Sequence, residues 1–438
     1  MITKQEFARR RHNLMQTMEQ GSIAIVASSQ ELVRSRDTHF MFRQDSDFHY
    51  LCGFPEPNAV LALIPGREHG EFVLFCNDKD PQQETWHGRR IGPEAACEKY
   101  GADDAFPIDD IDEILPGMME GRHRIYYEMG KNTGLDNQIM SWVNKIRSQV
   151  KKGAQPPGEF IDLRHALHDM RLIKSAAEQK LMKQSAEIAA DAHKRAMQVC
   201  KPGMTELEIE AELHYEFTRQ GARFPAYSSI VASGDNACIL HYTENQSKLK
   251  NGEMLLIDAG AEYQGYASDI TRTFPINGKF TPAQKELYNL VLEAQLAAIE
   301  TVKPGNHWMQ PHEAAVDVLT EGMIGLGILE GDKQTLIEQE AYKQYYMHKT
   351  GHWIGLDVHD VGDYTIDGEP RMLESGMVLT VEPAIYIPKD DDTVAKKYRG
   401  TGIRIEDDIV VTSDGHEVLS AGVVKTVEEI ETLMSMSA

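Results

Sequence analysis

The sequence has few cysteines and no long apolar run. Its five cysteines are scattered among 438 residues and never fall in a Cys-x-x-Cys spacing. An odd, scattered set excludes a disulfide framework and a thiolate zinc site, and it fits reduced thiols. No apolar stretch approaches the roughly 20 residues of a membrane span. The N-terminus from Met1 to Arg11 lacks the apolar core of a secretory signal. We therefore expect a cytoplasmic protein without a membrane partner.

Basic residues are also scarce relative to acidic ones. There are 45 lysines and arginines against 68 aspartates and glutamates, which gives a formal net charge of −23. Such a surface repels phosphate backbones and anionic membranes, so no nucleic-acid partner is expected. The length is sufficient for two or three domains with a large core.

The first third of the chain alternates β-branched and aromatic runs with helical stretches, which indicates a mixed α/β domain. The predicted strands cover residues 23–27, 59–64, 72–75 and 124–127, and the helical stretches cover 93–101 and 136–150. Residues 65–70 have the composition of a hairpin loop. Residues 151–159 have the Pro, Gly and charge content of a linker, and a long helical pattern follows from about Leu163. We expect two domains, residues 1–172 and 173–438.

The second of these domains contains a faint internal repeat. A helical segment ends in Lys-Pro-Gly at residues 201–203 and again at 303–305, and a second helical stretch follows each time. Each half then runs into strands with two acidic residues, Asp258 and Asp269 in the first half and Glu382 and Glu406 in the second. The repeat predicts a pseudo-twofold cleft between two carboxylate pairs.

Asp258 and Asp269 flank a predicted hairpin. If Glu262 to Gly265 form a four-residue loop, Asp258 lies directly opposite Asp269. Directly opposed residues have Cβ atoms about 5 Å apart, and two anions there repel by roughly 3 kcal/mol at an effective dielectric near 20. A divalent metal is the obvious compensating charge. The alternative is a register slip that leaves both carboxylates solvated, but their apolar neighbours favour burial.

The second half offers two further carboxylates and a histidine cluster. Glu382 ends an apolar strand before Pro383, and Glu406 follows Ile405 on the face it shares with Arg404. A solvated acidic turn over residues 406–408 is the alternative. His348 and His352 are four residues apart, but the glutamate of a zincin motif is missing. His241 stands alone, and its default interpretation is a structural histidine.

Four carboxylates with one imidazole form an oxygen-rich ligand set. Such a set suits Mn²⁺, Co²⁺ or a carboxylate-bridged zinc pair better than a structural zinc. Two ions about 3.5 to 4 Å apart activate water and polarise a carbonyl or phosphoryl oxygen, which is hydrolase chemistry.

The order and flanks of these residues resemble the five-ligand signature of the pita-bread metallopeptidases. The matching segments are residues 258–260, 268–274, 348–360, 382–383 and 403–407. Within that superfamily, residues 36–60, 86–92 and 170–175 are similar to bacterial aminopeptidase P, so the resemblance covers nearly the whole chain. One position departs from the pattern: Lys349 stands where the family usually has a small residue, often glycine.

The resemblance implies an α/β (α+β) fold, with a C-terminal pita-bread catalytic domain of internal pseudo-twofold symmetry and a smaller N-terminal domain of the creatinase/prolidase type. It implies that two Mn²⁺ ions, with Co²⁺ or Zn²⁺ possible, bind five side chains: Asp258, Asp269, His352, Glu382 and Glu406. Asp269 and Glu406 are the implied bridging ligands. A bridging hydroxide would attack the scissile carbonyl, with Glu382 as proton acceptor.

The resemblance also implies residues that bind substrate. Histidines 241, 348 and 359 are expected to line the cleft, move protons and stabilise the tetrahedral intermediate. Arg404 is expected to orient substrate or the ligands. Asp37 and Trp86 are implied contributors from the N-terminal domain, and Trp86 is expected to reach a neighbouring subunit in a homotetramer, a dimer of dimers.

The implied activity is that of an Xaa-Pro aminopeptidase, which cleaves peptides with proline in the second position. A prolidase, with or without organophosphate triesterase activity, is the alternative on the same fold. A non-catalytic pita-bread binding protein is disfavoured, because all five ligands are present. A calcium-binding protein is disfavoured, because the chain has no Asp-x-Asp-x-Asp-Gly loop.

Overall fold

The structure is a computed structural model that describes residues 1–436. The chain divides into two compact units, Met1–Arg171 and Leu172–Ala438. Within the described residues, no helix combines the length and the apolar character needed to cross a bilayer. The five cysteines are free thiols, as their spacing predicts.

The first unit is a mixed α/β domain. Its helices are α1 (Lys4–Thr17), α2 (Ser46–Cys52), α3 (Pro81–His87), α4 (Gly92–Ala95), α5 (Ile111–Met119), α6 (Thr133–Arg147) and α7 (Arg164–Leu172), whose last residue opens the second unit. Its strands are β1 (Ser22–Ala27), β2 (Val33–Ser35), β3 (Thr38–His39), β4 (Val60–Leu63), β5 (Phe72–Cys76), β6 (Asp104–Pro107), β7 (Arg124–Tyr127) and β8 (Glu159–Asp162).

Six of these strands form one sheet in the order β6-β5-β4-β1-β7-β8. Strands β1, β7 and β8 are parallel, whereas β4 is antiparallel to both β1 and β5. The β4–β5 pair confirms the hairpin predicted around residues 65–70. Isoleucines 23 and 25 of β1 pack with Trp142 of α6 in the core of this unit.

The linker predicted at residues 151–159 is wrong. The segment lies inside the first unit, where it carries the chain from the end of α6 to β8. Strand β8 then pairs in parallel with β7, a connection that needs a crossover of a dozen or more residues. Proline and glycine in this segment therefore mark a crossover loop and not a domain boundary.

The second unit contains the remaining elements. Its helices are α8 (Ala176–Val199), α9 (Glu206–Arg219), α10 (Pro282–Glu300), α11 (Gln310–Gly325), α12 (Lys333–Glu338) and α13 (Val427–Ser435). Its strands are β9 (Phe224–Pro225), β10 (Ile230–Ser233), β11 (Met254–Asp258), β12 (Ala261–Tyr263), β13 (Tyr266–Ala267), β14 (Thr271–Pro275), β15 (Thr365–Ile366), β16 (Glu369–Pro370), β17 (Val378–Val381), β18 (Ala384–Ile387), β19 (Thr401–Arg404), β20 (Asp407–Val411) and β21 (His416–Val418).

The second unit consists of two similar halves. Each begins with a long helix that stops before a Lys-Pro-Gly turn and continues into a second helix, α8 with α9 and α10 with α11. Each pair is followed by a three-stranded antiparallel sheet, β10-β11-β14 in the first half and β17-β20-β21 in the second. Side chains from both halves share one large hydrophobic core. The halves confirm the predicted internal repeat.

The predicted register of the Asp258 hairpin is wrong by two residues. The loop contains only Gln264 and Gly265, both with positive φ, and Tyr263 pairs with Tyr266. Two-residue loops of this conformation match the twist of the flanking strands. Asp258 therefore lies opposite Thr271 and not opposite Asp269. Because side chains alternate with a period of two, a shift of two residues keeps the predicted face.

Glu382 lies at a strand end, as the sequence indicates, whereas the strand predicted to continue through Glu406 is interrupted there. Glu382 follows the last residue of β17, and Glu406 lies between β19 and β20. The alternative of a solvated acidic turn at residues 406–408 is wrong, because Glu406, Asp407 and Asp408 are all buried. Asp407 forms an ion pair with the fully buried Arg272 at 2.7 Å.

Candidate active site

A cavity of about 240 Å³ in the second unit collects nine of the eleven predicted site residues. Its lining also includes Lys349 and Tyr386. Asp37 and Trp86 lie in the first unit, on the turn between β2 and β3 and on α3, and both side chains are exposed. The nine predicted residues in the cavity wall are His241, Asp258, Asp269, His348, His352, His359, Glu382, Arg404 and Glu406.

Three of the predicted metal ligands already lie within reach of one ion. Asp269, His352 and Glu406 each offer a ligand atom, and these atoms lie within 4.8 Å of one another. His352 Nε2 is 3.4 Å from Asp269 and 3.7 Å from Glu382. Carboxylates around an imidazole are an oxygen-rich donor set, which fits a divalent first-row metal.

The orientation of the His352 ring is fixed by a hydrogen bond at Nδ1, the ring nitrogen that does not face the carboxylates. Its Nδ1–H donates to the carbonyl oxygen of Trp353 at 2.9 Å, which leaves Nε2 as the free ligand atom facing the carboxylates. The surrounding backbone packs against β17, where Thr380 N–H donates to the His352 carbonyl at 3.0 Å. Gly351 allows this approach, because a Cβ there would lie 2.0 Å from the Thr380 carbonyl oxygen.

Asp258 and Asp269 are held together by Tyr227. The Tyr227 hydroxyl lies within hydrogen-bond distance of one carboxylate oxygen of each residue. Arg404 supplies positive charge to Asp258 through a 2.5 Å contact between Nη2 and Oδ2. The backbone N–H of Asp269 donates to the buried Asp408 at 3.0 Å. Two like charges are thus accommodated by one hydroxyl and one guanidinium.

Glu406 is held by Thr271, the residue opposite Asp258. Thr271 Oγ1 donates to one Glu406 oxygen at 2.6 Å, and it accepts a hydrogen bond from Arg404 Nε at 3.1 Å. The Glu406 N–H donates to the Thr271 carbonyl at 3.1 Å. The β-strand of one half therefore orients a carboxylate of the other half.

The carboxylates have a raised affinity for protons. Burial raises the pKa of Glu382 to about 7, although the charges of His352 and Arg404 oppose the shift. Burial and neighbouring carboxylates also raise the pKa of Asp269 and of Glu406. Burial lowers the pKa of His352, but hydrogen bonding to Asp269 and the charge of Glu382 outweigh it and raise that pKa to about 9. A divalent cation would displace these protons and stabilise the ionised carboxylates.

The other histidines form the wall around this cluster. Burial lowers the pKa of His348 to about 4, so the imidazole is neutral near pH 7. Its Nδ1 faces the Lys349 carbonyl at 2.8 Å, and its Nε2 accepts from the Tyr386 hydroxyl at 2.9 Å. Burial also lowers the pKa of His359, whose ring packs edge-on against His352 with a centroid distance of 4.3 Å. These rings are neutral hydrogen-bonding groups beside the carboxylates.

Several groups that orient the cluster were not predicted from the sequence. Tyr386 lies two and four residues beyond Ala384 and Glu382, so strand alternation could have placed it on the same face. Thr271 could have been found from its two-residue spacing to Asp269. Tyr227 lies more than 30 positions before Asp258, and no local pattern connects them.

Comparisons with known proteins agree with this geometry. Residues 180–413 match the family described as metallopeptidase family M24, and residues 7–126 match the aminopeptidase P N-terminal domain. The Xaa-Pro aminopeptidase of Escherichia coli (strain K12) is 47% identical over 434 residues, which is 99% of this chain and 98% of that protein. These names do not favour the prolidase alternative.

Two solved structures are similar over almost their whole length. The structure of Pseudomonas aeruginosa aminopeptidase PepP is 59% identical with a TM-score of 0.99, and the match covers 99% of this chain and 98% of that one. Zinc-substituted Escherichia coli aminopeptidase P in complex with product is 47% identical with a TM-score of 0.97, over 99% and 98% of the two chains.

Two α/β halves that gather buried carboxylates and an imidazole at a shared cavity define a metal-dependent peptidase, a hydrolase. The chain belongs to metallopeptidase family M24, within its bacterial aminopeptidase P group.

Proposed function

We infer that this protein is an Xaa-Pro aminopeptidase, which hydrolyses the first peptide bond of chains with proline in the second position. The observation that carries the inference is the buried cluster of Asp269, His352 and Glu406, found in a chain similar to Xaa-Pro aminopeptidases over 99% of its length. The carboxylates that line the cavity also suit the free ammonium group of a peptide N-terminus.

We propose that the metal ligands are Asp258, Asp269, His352, Glu382 and Glu406, and that the site takes two Mn²⁺ ions, with Co²⁺ or Zn²⁺ able to substitute. The proposal is supported by the oxygen-rich donor set and by the fixed Nε2 of His352. Bound divalent ions would supply an activated water and polarise the scissile carbonyl. Asp269 and Glu406 are the proposed shared ligands, because they are the two carboxylates of the three-residue cluster and each offers two ligand oxygens, whereas His352 offers one nitrogen.

The chain's own groups then handle protons and orientation. Glu382 is the proposed proton acceptor, because its carboxylate lies in the cavity wall among the other candidate ligands. His241 and His359 line the same cavity and can donate hydrogen bonds to a developing oxyanion, whereas the one N–H of neutral His348 already donates to the Lys349 carbonyl. Arg404 donates to Tyr386 at 2.7 Å, so its guanidinium holds both that hydroxyl and Asp258 in position.

Selection for proline follows from what proline lacks. Its ring fixes φ near −65°, and its nitrogen carries no hydrogen after the peptide bond forms. A small cavity can therefore select proline by ring fit without satisfying an amide donor, although a shape-based pocket discriminates only moderately.

The activity is tested with three peptides: Arg-Pro-Pro, Ala-Pro and Ala-Ala-Ala. Release of the first residue is measured with metal-stripped enzyme and after addition of Mn²⁺. An Xaa-Pro aminopeptidase cleaves the proline tripeptide only with metal, and it cleaves Ala-Ala-Ala poorly. A preference for Ala-Pro over Arg-Pro-Pro would instead identify a prolidase.

We also propose a homotetramer in the cytoplasm, with Asp37 and Trp86 as substrate-binding groups and with Trp86 supplied to a neighbouring subunit. The proposal is supported by exposed apolar side chains in the first unit. Trp86 is 78% exposed, and Leu32 and Phe40 beside the β2–β3 hairpin are 68% and 56% exposed. Large exposed apolar groups of this kind are typical of protein interfaces. Sedimentation analysis of the wild type and Trp86→Ala, together with their KM values for Arg-Pro-Pro, tests the assembly and the role of Trp86.

A further inference from the structure

Lys349 is an exposed cation in the wall of an otherwise acidic cavity. Within residues 1–436, its ammonium group takes part in no hydrogen bond or ion pair. The other cation of the cavity, Arg404, is bonded to Asp258, Thr271 and Tyr386. Of these two basic side chains in the cavity wall, Lys349 is therefore the one that remains available to bind a ligand.

The backbone that carries Lys349 is fixed on both sides. The Lys349 carbonyl faces His348 Nδ1 at 2.8 Å. The next residue, Thr350, is buried, and its hydroxyl lies 2.9 Å from His312 Nδ1 and 2.5 Å from the Tyr346 hydroxyl. The Lys349 side chain thus starts from a set position beside the candidate metal ligands, and only its flexible end samples solvent.

The size of the cavity indicates which part of a peptide Lys349 meets. Cavities that enclose a drug-sized ligand are about 300–1,000 Å³, and this one is about 240 Å³. It has room for little more than the first residue and the proline ring. The third residue of a substrate must then lie outside this volume, and Lys349 is an exposed residue of its wall that can reach it.

We propose that Lys349 is a specificity-determining residue. It favours substrates that carry a carboxylate on the third residue, the residue that follows the second-position proline. The inference rests on the proposed function and deepens it. The carboxylate has two sources, an acidic side chain at the third residue or the free C-terminus of a tripeptide. Either would meet a lysine ammonium group that, within the described residues, has no hydrogen bond or ion pair of its own and whose charge acts on Glu340, outside the cavity lining.

Two pairs of substrates separate these sources. Ala-Pro-Asp-amide against Ala-Pro-Asn-amide tests the side chain, and Ala-Pro-Ala against Ala-Pro-Ala-amide tests the C-terminus. The readout is the ratio of kcat/KM within each pair for the wild type, Lys349→Ala and Lys349→Glu, with Mn²⁺ present. Lys397→Ala is the matched control, because it removes the same charge from an exposed lysine that pairs with Glu286, and neither residue lines the cavity.

In at least one pair, the wild type should prefer the carboxylate roughly two- to fivefold, the range of an exposed ion pair. The preference should disappear in Lys349→Ala, reverse in Lys349→Glu and persist in Lys397→Ala, and these changes should fall mainly on KM. It should also weaken at high salt. The pair that responds identifies the source of the carboxylate.

The inference is overturned if both wild-type ratios are near one, if the ratios survive in the Lys349 variants, or if Lys397→Ala abolishes them equally. Failure of the wild type to cleave any of the four peptides would contradict the proposed function instead. Cleavage of the neutral peptides by each variant shows that it is folded and loaded with metal.

Discussion

Thr271 connects the two halves of the second unit through a 2.6 Å hydrogen bond from its hydroxyl to Glu406. The same hydroxyl accepts from Arg404 Nε, which fixes the direction of the hydrogen that it donates. Glu406 therefore presents its remaining lone pairs to the cavity in a set orientation. Groups that orient metal ligands in this way contribute strongly to metal affinity.

Replacement of Thr271 by valine should weaken Mn²⁺ binding by about 10- to 100-fold, because the shape is kept and the hydrogen bond is lost. Calorimetric titration of the metal-free protein measures the change. Thr273→Val is the matched control, since Thr273 is also buried but its hydroxyl bonds to the Arg404 carbonyl. Equal weakening in both variants would assign the effect to general loss of packing.

Replacement of Glu382 by glutamine should lower kcat for Arg-Pro-Pro by about 10²- to 10⁴-fold, because an amide cannot accept the proton that a carboxylate takes. Discontinuous assays at saturating Mn²⁺ measure kcat. Metal analysis of the same samples distinguishes a loss of catalysis from a loss of bound metal. Glu374→Gln alters an exposed glutamate outside the cavity lining and should retain activity. Full activity of Glu382→Gln would remove Glu382 from the proposed proton transfer.

The stabilising contribution of Glu382 and His352 to the metal-free protein should fall as pH rises from about 4 to about 9. Folded-state pKa values are raised to about 7 for Glu382 and to about 9 for His352. Unfolded values are near 4.3 and 6.5, so each contribution is present below the unfolded pKa and is lost as pH rises through the folded pKa. Bound Mn²⁺ replaces the protons, so the Tm gain on adding Mn²⁺ should increase with pH.

Thermal unfolding across this pH range, with chelator and with Mn²⁺, measures that gain. A Tm increase that is independent of pH would show that metal binding displaces no protons from the cluster.

Replacement of Arg272 by glutamine should destabilise the second unit by about 3 kcal/mol, because it leaves the buried Asp407 without one of its cations. Asp407 retains Lys425 at 2.8 Å, so the loss falls at the low end for a broken buried pair. Thermal unfolding of the metal-free variant measures the loss. The control Lys183→Ala breaks an ion pair whose partners are 51% and 49% exposed, and it should cost less than about 1 kcal/mol. Comparable losses in the two variants would contradict the assignment.

The sequence contained enough information for the two halves and for the residues that line the cavity. The Lys-Pro-Gly stops are a local pattern that indicated the repeat. Pro383 placed Glu382 at a strand end, and strand alternation placed Glu406 on the face of Arg404. The register of the Asp258 hairpin was wrong, because a two-residue loop needs positive φ at Gln264, a conformation that is uncommon outside glycine. The face of both aspartates was still correct, since the error was an even number of residues.

Contacts between distant segments could not be predicted. Tyr227 contacts Asp258 and Asp269 from a segment without a distinctive pattern, and Asp408 receives the Asp269 N–H from 139 positions away. Burial of Asp407 depends on Arg272, which the acidic run at residues 406–408 gave no reason to expect. Contacts of this kind are apparent only in the folded structure.

Dependence of the peptidase activity on two metal ions is tested most directly by titrating metal-stripped enzyme with Mn²⁺. Bound metal and cleavage of Arg-Pro-Pro are measured on the same samples. We expect activity to be absent without metal and to rise to its maximum as two ions bind per chain. We also expect Asp269→Asn, which alters a shared ligand, to bind less metal and stay inactive. Full activity of the stripped enzyme, or of Asp269→Asn without bound metal, would contradict this dependence.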